Sequence, residues 1–279
     1  MKYTVITDSC CNLFSKDLTN DKIDFHVVPL TLIIGDEEFV DDEKLDTAGF
    51  IGKMNASKTC AKSACPSPDA FFETMKNGDN VIIVTLSSKL SGTYASAMEA
   101  GEMFKKQYPN KKLFVMDSLS ADTGQDLILT KLCELINSEK YTFDELTAKL
   151  VEIRKSTRVR FLLQDIGNLV KNGRMSALIG KILSTAKIKL ICGDDGAGEI
   201  KKYSMSLGTR HGLNAMAELP GKEISNDMPI MIAHVFNEED ASYLKRLLES
   251  KFGFKNIKLR LMRGVSSLYA ADKGIVMAY

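Results

Sequence analysis

The chain has 279 residues, of which 44% are hydrophobic, enough to fill the cores of one large or two ordinary domains. Its 37 Lys and Arg residues nearly balance its 36 Asp and Glu residues, which leaves a net charge of +1. This balance excludes a global field that would gather nucleic acid or an anionic membrane, so we expect no nucleic-acid partner and at most a local, transient membrane contact.

The N-terminal stretch MKYTVITDS lacks the basic and apolar regions of a secretory signal. No apolar run approaches the roughly 18 residues that a spanning helix needs. We therefore expect a cytoplasmic protein. The six cysteines have no CxxC spacing and no neighbouring histidines, so we expect reduced thiols, no metal site and no cofactor.

Strand-like and helix-like segments alternate over the first half of the chain. The strand candidates are KYTVITD, DFHVVPLTLII, VIIVTL and KLFVMDS, and the helix candidates are TYASAMEAGEMFKKQY and DLILTKLCELINSE. This alternation predicts a Rossmann-like parallel sheet covered by helices, in an N-terminal α/β domain of residues 1–155.

The pattern changes after TFDELTAKLVEIRKST, an amphipathic helix in which Thr142 and Glu145 form a capping box. VRFLLQ, two short helices and IKLIC come next, and GDDGAGE is predicted as a tight turn between two strands. Helices then alternate with PIMIAHV, NIKLRLM and GIVMAY. The mixed order predicts a C-terminal α+β domain with a mixed sheet over residues 156–279.

Hydroxyl side chains follow the VIIVTL strand in the stretch SSKLSGTYASA. Ser91, Gly92 and Thr93 directly precede a helical pattern, and ligands of open α/β sheets bind outside the carboxyl ends of the strands. First-turn amides and hydroxyls together could bind an anion there. The alternative is N-capping by Ser91 or Thr93 without any ligand.

Two further loops carry candidate ligands. In KSACPSP, Ser67 is a natural N-cap, and Ser63 either points into the same crevice or lies in solvent. In VKNGRMSAL, Gly173 is a helix stop and Ser176 the next N-cap, with Arg174 between them. An arginine fixed in such a turn can donate to a carboxylate or phosphate, although a surface arginine is the alternative.

Familiar catalytic motifs are missing from the sequence. It contains no GxSxG elbow, no GxxxxGK[ST] phosphate loop, no HExxH and no GxGxxG after the first strand. Asp8 and Asp117, each at a strand end, could act as general bases or metal ligands, or could cap turns. The residues alone therefore predict a two-domain α/β protein with a hydroxyl-rich crevice.

Several motifs occur together in a distinctive order. ITDSCCNL is similar to ITDSTADL, KSACPSP to TSQPSP, SSKLSGTYASA to SSxLSGTYxSA, FVMDSLSADTG to VxDSxxxSxG, and LVKNGRMS to LxKxGRIS. These motifs belong to the DegV family, bacterial fatty-acid-binding proteins that include the FakB subunits of fatty acid kinase. The resemblance runs over essentially the whole chain and implies a two-domain DegV-like fold.

The resemblance implies a long acyl chain buried between or beneath the two domains, with its carboxylate held by hydroxyls. Ser91 matches the serine that bonds the carboxylate, with Gly92 and Thr93 beside it. Ser63 stands where the family has a carboxylate-binding threonine, and Arg174 matches the arginine of GRIS. In FakB-type members a separate kinase phosphorylates the bound acid. We therefore expect a carrier and no catalyst, partnered by a dihydroxyacetone-kinase-like fatty acid kinase subunit.

The chain departs from the family near its C-terminus, where members usually have HxGPGxxG and the histidine reaches the carboxylate. Here SLYAADKG puts Ser267 in the histidine's place, and Tyr269, Ala270 and Ala271 replace Gly-Pro-Gly. A second family arginine aligns with Ser206. Because a hydroxyl is a weaker donor than an imidazole, we expect Ser267 to give a weaker contact. Tyr269 either narrows the pocket mouth or supplies a replacement donor.

Two other functions stay open at this point. One is an enzyme that acts on a small anionic metabolite in the inter-domain crevice, with Asp8 or Asp117 as its base. The other is a degenerate family member with a regulatory or interaction role, suggested by the loss of the histidine loop.

Overall fold

The protein is described by a computed structural model over residues 2–176, 188–194 and 196–279. Within these residues, four parallel strands form the first sheet. They are β1 (Tyr3–Asp8), β2 (Ile23–Val28), β6 (Asn80–Thr85) and β7 (Lys112–Asp117), in the order β2-β1-β6-β7. Every residue of the central strands β1 and β6 is buried, which accounts for their continuous apolar sequences.

Helices cover both faces of this sheet. Successive side chains of a strand point to opposite faces, so each face of the sheet carries apolar residues that a helix can bury. Ile6 and Ile83 pack on one face, and Val5 and Ile82 pack on the other. The first face is covered by α3 (Pro68–Met75) and α4 (Thr93–Gln107), and the second by α5 (Thr123–Asn137) and α6 (Phe143–Ser156). A short helix, α1 (Ser15–Leu18), connects β1 to β2. The predicted helix-covered parallel sheet is confirmed.

A second sheet has six strands in mixed orientation, as predicted for the C-terminal half. They are β8 (Val159–Leu162), β9 (Ile188–Asp194), β10 (Ile200–Leu207), β11 (Ile230–His234), β12 (Ile257–Leu261) and β13 (Ile275–Ala278). Their order is β10-β9-β8-β13-β11-β12, and β11 and β12 run parallel while the other pairs are antiparallel. The chain reaches this sheet directly from α6, close to the predicted boundary at residue 155.

Four helices of the described residues accompany the second sheet. They are α7 (Gly167–Lys171), α8 (Thr209–Glu223), α9 (Glu238–Phe252) and α10 (Gly264–Ala270). Helices α8 and α9 bury one face of the sheet, whereas the opposite face turns towards the N-terminal half of the molecule. The second of the two short helices predicted after VRFLLQ, together with its N-cap Ser176, falls on a segment outside the described residues.

A small antiparallel sheet that the sequence did not predict lies between the two halves. It contains β3 (Thr31–Ile34), β4 (Glu37–Val40) and β5 (Lys62–Ala64), in the order β4-β3-β5, and is packed by α2 (Thr47–Ala56). The single predicted strand DFHVVPLTLII is therefore wrong, because the chain divides at Pro29, which has no N–H to continue a ladder.

Local signals at the ends of elements are confirmed. Ser67 accepts a hydrogen bond from the Ala70 amide at 3.2 Å at the start of α3. Thr142 and Glu145 form the predicted capping box of α6. Gly173 has a φ of +74°, the left-handed conformation that ends a helix. The described part of GDDGAGE joins β9 and β10 as a hairpin turn.

A buried polar seam fixes α10 against the N-terminal half. The Asp41 carboxylate accepts hydrogen bonds from the first-turn amides of Gly264 at 3.1 Å and Val265 at 2.9 Å. The Arg263 guanidinium donates to the carbonyl oxygens of Leu13 at 2.8 Å and Asp41 at 3.1 Å. Asp41 is fully buried, so its carboxylate caps this helix without help from water.

The seam continues through Asn12 into α5. The Asn12 side-chain oxygen accepts from the Arg263 amide at 3.0 Å, and its amide group donates to Asp122 at 3.1 Å and Asp126 at 3.2 Å. Burial raises the pKa of Asp126 to about 7, and the neighbouring Asp122 carboxylate adds to the increase.

No helix among the described residues is both long and apolar enough to cross a membrane.

We expect Asp41→Ala to lower the free energy of unfolding by about 2–5 kcal/mol, because it leaves two buried amides without their acceptor and removes the negative charge near the buried Arg263 guanidinium. Urea denaturation measures this change. The matched control is Asp36→Ala at an exposed turn position. Equal, small losses for the two variants would contradict the role assigned to Asp41.

We expect Asp126→Asn to gain stability relative to the native chain as the pH rises from about 4 to about 7. The raised pKa means that the folded protein keeps a proton that the unfolded chain releases in this window, so the native carboxyl loses stability as the pH increases. The gain should approach about 2–4 kcal/mol. Denaturation at several pH values measures it, with exposed Asp36→Asn as the control; a constant difference would contradict the shift.

Candidate ligand-binding site

A cavity lies between the N-terminal half and the inward face of the second sheet. Its cavity volume is about 120 Å³, and the atom-free space is about 890 Å³ when the solvent at its opening is counted. Most of its lining is aliphatic or aromatic. The apolar members are Cys10, Leu30, Leu86, Leu90, Leu119, Ala121, Val159, Phe161, Leu163, Leu169, Ile200, Val265, Ala270 and Val276.

The alternation of strand side chains builds the floor of this cavity. Val159 and Phe161 of β8 face the cavity, as does Leu163 just beyond the strand, whereas Leu162 points to the opposite face. Val276 of β13 pairs with Phe161 and lies on the same face. The apolar spacing in VRFLL thus separates a ligand-facing set from a core-facing residue.

Polar side chains from distant parts of the chain meet on one part of the cavity wall. The hydroxyls of Ser63 and Tyr269 lie 2.9 Å apart. The Arg174 guanidinium carbon lies 5.7 Å from the centre of the Tyr269 ring, a cation–π contact. Ser91 lines the same cavity. Four residues from β5, the loop before α4, the turn after α7 and helix α10 therefore form one polar group, which we call the head cluster.

Arg174 is held in place by backbone carbonyls. Its Nε donates to the Leu90 carbonyl at 3.2 Å, next to Ser91, and its Nη1 donates to the Asn172 carbonyl. The left-handed turn at Gly173 brings the arginine back over the end of α7. A guanidinium carries five N–H donors, so these contacts orient Arg174 and leave its charge available at the cavity. The alternative of a free surface arginine does not fit this geometry.

The loop at Ser91 differs from a simple N-cap. Helix α4 begins at Thr93, its N-cap residue is Gly92, and no side chain caps it. Instead, the Ser91 hydroxyl accepts from the Thr93 amide at 3.3 Å and lies 2.9 Å from the Thr93 hydroxyl. Of these three residues, Ser91 lines the cavity, whereas Gly92 and Thr93 do not.

Ser267 does not reach the cavity lining. It is fully buried, and its hydroxyl donates to the Met262 carbonyl at 3.2 Å. Because a helix advances about 100° per residue, α10 instead presents Ser266, Tyr269 and Ala270 to the cavity. Ser206 likewise lies outside the lining, and its hydroxyl donates to the Gly208 carbonyl at 3.2 Å.

Asp8 and Asp117 serve as acceptors for loop amides. Asp8 accepts from the amides of Cys10 at 3.0 Å and Leu86 at 2.7 Å, and burial raises its pKa to about 6. Asp117 accepts from the amides of Ser88 at 3.1 Å and Leu119 at 3.0 Å. Neither carboxylate lines the cavity, so both shape the loops at the strand ends.

Asp122 is a cavity residue that the sequence did not single out. Its side chain accepts from the Thr123 amide at 2.6 Å, and burial raises its pKa to about 6. Its φ of +54° is uncommon for a residue other than glycine, and no composition signal predicts it. Across the described ranges, no group of three or more His, Cys, Asp or Glu side chains could hold a metal ion.

The fold and the site define a two-domain α/β protein with a largely apolar cavity and a polar cluster on its wall. The DegV family model matches residues 2–278, and the chain belongs to the DegV family. A DegV domain-containing protein of Streptococcus pyogenes serotype M3 is 33% identical over 279 residues, which cover 100% of this chain and 99% of that protein.

Solved structures share the fold over their full length. The Streptococcus pneumoniae fatty acid kinase (Fak) B3 protein loaded with linoleic acid aligns with a TM-score of 0.96 at 31% identity, over 100% of this chain and 99% of that one. A DegV family protein from Ruminococcus gnavus with vaccenic acid aligns with a TM-score of 0.90 at 31% identity, over 99% of each chain.

We expect Ser63→Ala and Tyr269→Phe each to lower the free energy of unfolding by about 0.5–1.5 kcal/mol, because each removes the same hydrogen bond. The double variant should lose less than the sum of the two, which a double-mutant cycle by urea denaturation measures. Strictly additive losses would show that the two hydroxyls do not interact.

Proposed function

We propose that this protein binds a long-chain fatty acid, with the tail in the apolar cavity and the carboxylate at the head cluster. The observation that carries the proposal is the cavity itself, which is lined by aliphatic side chains and has hydroxyls and one guanidinium together on its wall. This combination suits a molecule with a long apolar body and a single anionic end.

The apolar wall can supply most of the affinity. A buried methylene contributes about 0.8 kcal/mol, so a sixteen-carbon tail offers on the order of ten kcal/mol before the costs of ordering and association. The head cluster then needs only to orient the carboxylate. The fatty acids bound to the pneumococcal and Ruminococcus gnavus proteins support this ligand class.

Tyr269 takes over the role that the family gives to a histidine. Its phenol hydroxyl lies 2.9 Å from the Ser63 hydroxyl, and its ring lies under Arg174. An incoming carboxylate can replace the hydroxyl–hydroxyl bond with bonds to Tyr269, Ser63 and Ser91, while Arg174 supplies the charge. Ser267 is left out of this set because its hydroxyl already donates to the Met262 carbonyl.

The proposal includes a partner, namely a separate kinase for which this protein carries the fatty acid. In this proposal the protein is a cytoplasmic carrier that presents its acid to a dihydroxyacetone-kinase-like subunit, and the name of the pneumococcal relative, fatty acid kinase (Fak) B3, supports a link to a fatty acid kinase. The enzyme alternative has less support, since the carboxylates of Asp8 and Asp117 are occupied by loop amides away from the cavity.

We expect denaturing mass spectrometry of the purified protein to release long-chain fatty acids in near one-to-one amounts. Leu163→Trp should reduce this to a small fraction, because the larger side chain fills the cavity beside the β8 floor. The control, Met205→Trp, lies on exposed β10 and should bind as the native protein does. Native protein that yields no acyl lipid from several preparations would overturn the proposal.

A further inference from the structure

A second depression adjoins the cavity and shares part of its wall. It encloses about 360 Å³, counting open solvent, and its lining differs sharply from that of the cavity. Arg154, Lys155 and Arg158 at the end of α6 give it a basic surface, with Thr157 and Ser118 beside them. The residues common to both spaces are Leu119, Ser120 and Asp194.

We propose that Leu119 is the partition that closes the acyl cavity on this side and thereby limits the length of the bound chain. The proposal rests on the fatty-acid function above. Leu119 is the one large apolar side chain common to the two spaces as the described residues line them. It is half-buried, which fits a side chain that separates an apolar cavity from a wet depression.

The other two members of the wall are already engaged in the fold. The Asp194 carboxylate accepts from the Val159 amide at 2.5 Å and pairs with Arg160 at 3.5 Å. The Ser120 backbone is bonded within the fold, since its carbonyl accepts from the Ser87 amide at 2.7 Å and its own amide donates to the Ser118 hydroxyl at 3.1 Å. Leu119 is therefore the member with a large side chain that can be shortened without breaking a described hydrogen bond.

The backbone conformation of Leu119 is unusual and is fixed by a hydrogen bond. Its φ is +49°, in the left-handed region that an ordinary residue adopts only when its surroundings enforce it. The Asp117 carboxylate accepts the Leu119 amide at 3.0 Å and so fixes this turn. This backbone turn therefore fixes where the Leu119 side chain leaves the chain, at the wall that the two spaces share.

Gly198, in the hairpin turn between β9 and β10, packs closely against Leu119. Gly198 has a φ of +95°, its carbonyl accepts from the Ser87 hydroxyl at 2.7 Å, and a Cβ atom there would lie 3.1 Å from Leu119 Cδ2. The turn therefore approaches Leu119 as closely as a glycine allows. The terminal methyl group of an acyl chain that reaches this wall contacts Leu119. Beyond Leu119 lies the basic surface of the depression, which is open to solvent and does not favour hydrocarbon.

The test is the chain length of the bound acid. Native protein and Leu119→Ala are stripped of lipid, offered an equimolar mixture of saturated acids from fourteen to twenty-two carbons, and analysed by mass spectrometry. Each additional buried methylene changes affinity about fourfold. We expect Leu119→Ala to raise the ratio of twenty-carbon to sixteen-carbon acid at least about tenfold, because the longer chain gains room towards the depression.

Leu90→Ala is the matched control, since Leu90 lines the cavity beside the head cluster and not the shared wall. It should lower total binding and leave the length ratio unchanged. An unchanged ratio in Leu119→Ala that still binds acid, or the same shift in Leu90→Ala, would overturn the partition. Native protein that binds no acid from the mixture would instead refute the fatty-acid function.

Discussion

A buried carboxylate at the start of a short helix is the interaction on which the site depends. Helix α10 carries Tyr269, yet it belongs to the C-terminal half, while Ser63 and Ser91 come from the N-terminal half. Asp41 accepts the first amides of α10, and Arg263 donates to carbonyls across the same junction. Because one partner comes from each half, this seam sets the distance between the two sides of the cavity.

This arrangement keeps the charged contacts of α10 apart from the face that it presents to the cavity. The seam at Asp41 and Asn12 concentrates the buried charge at the helix start. The polar residues that α10 presents to the cavity are therefore uncharged: Tyr269 beside Arg174, and Ser266, whose hydroxyl donates to the Cys10 carbonyl.

Much of the fold was readable from the sequence, because its signals are local. Continuous apolar runs marked the central strands, and Ser67, Thr142 and Gly173 marked helix ends by their own backbone chemistry. The three-stranded sheet was missed since its strands have only three or four residues and β4 is largely exposed. Strands this short have too little periodicity to be recognised.

The site was only partly predictable for a related reason. Ser63, Ser91 and Arg174 lie in recognisable loops, whereas the contact between Ser63 and Tyr269 spans 206 residues and depends on the rotation of α10. That rotation also turns Ser267 inward, which an alignment cannot foresee.

The most direct test of fatty-acid binding in this cavity is a crystal structure of the lipid-loaded protein. We predict an acyl chain along the cavity with its carboxylate bonded to Tyr269 and Arg174; a carboxylate bound elsewhere, or side chains closing the cavity, would contradict this.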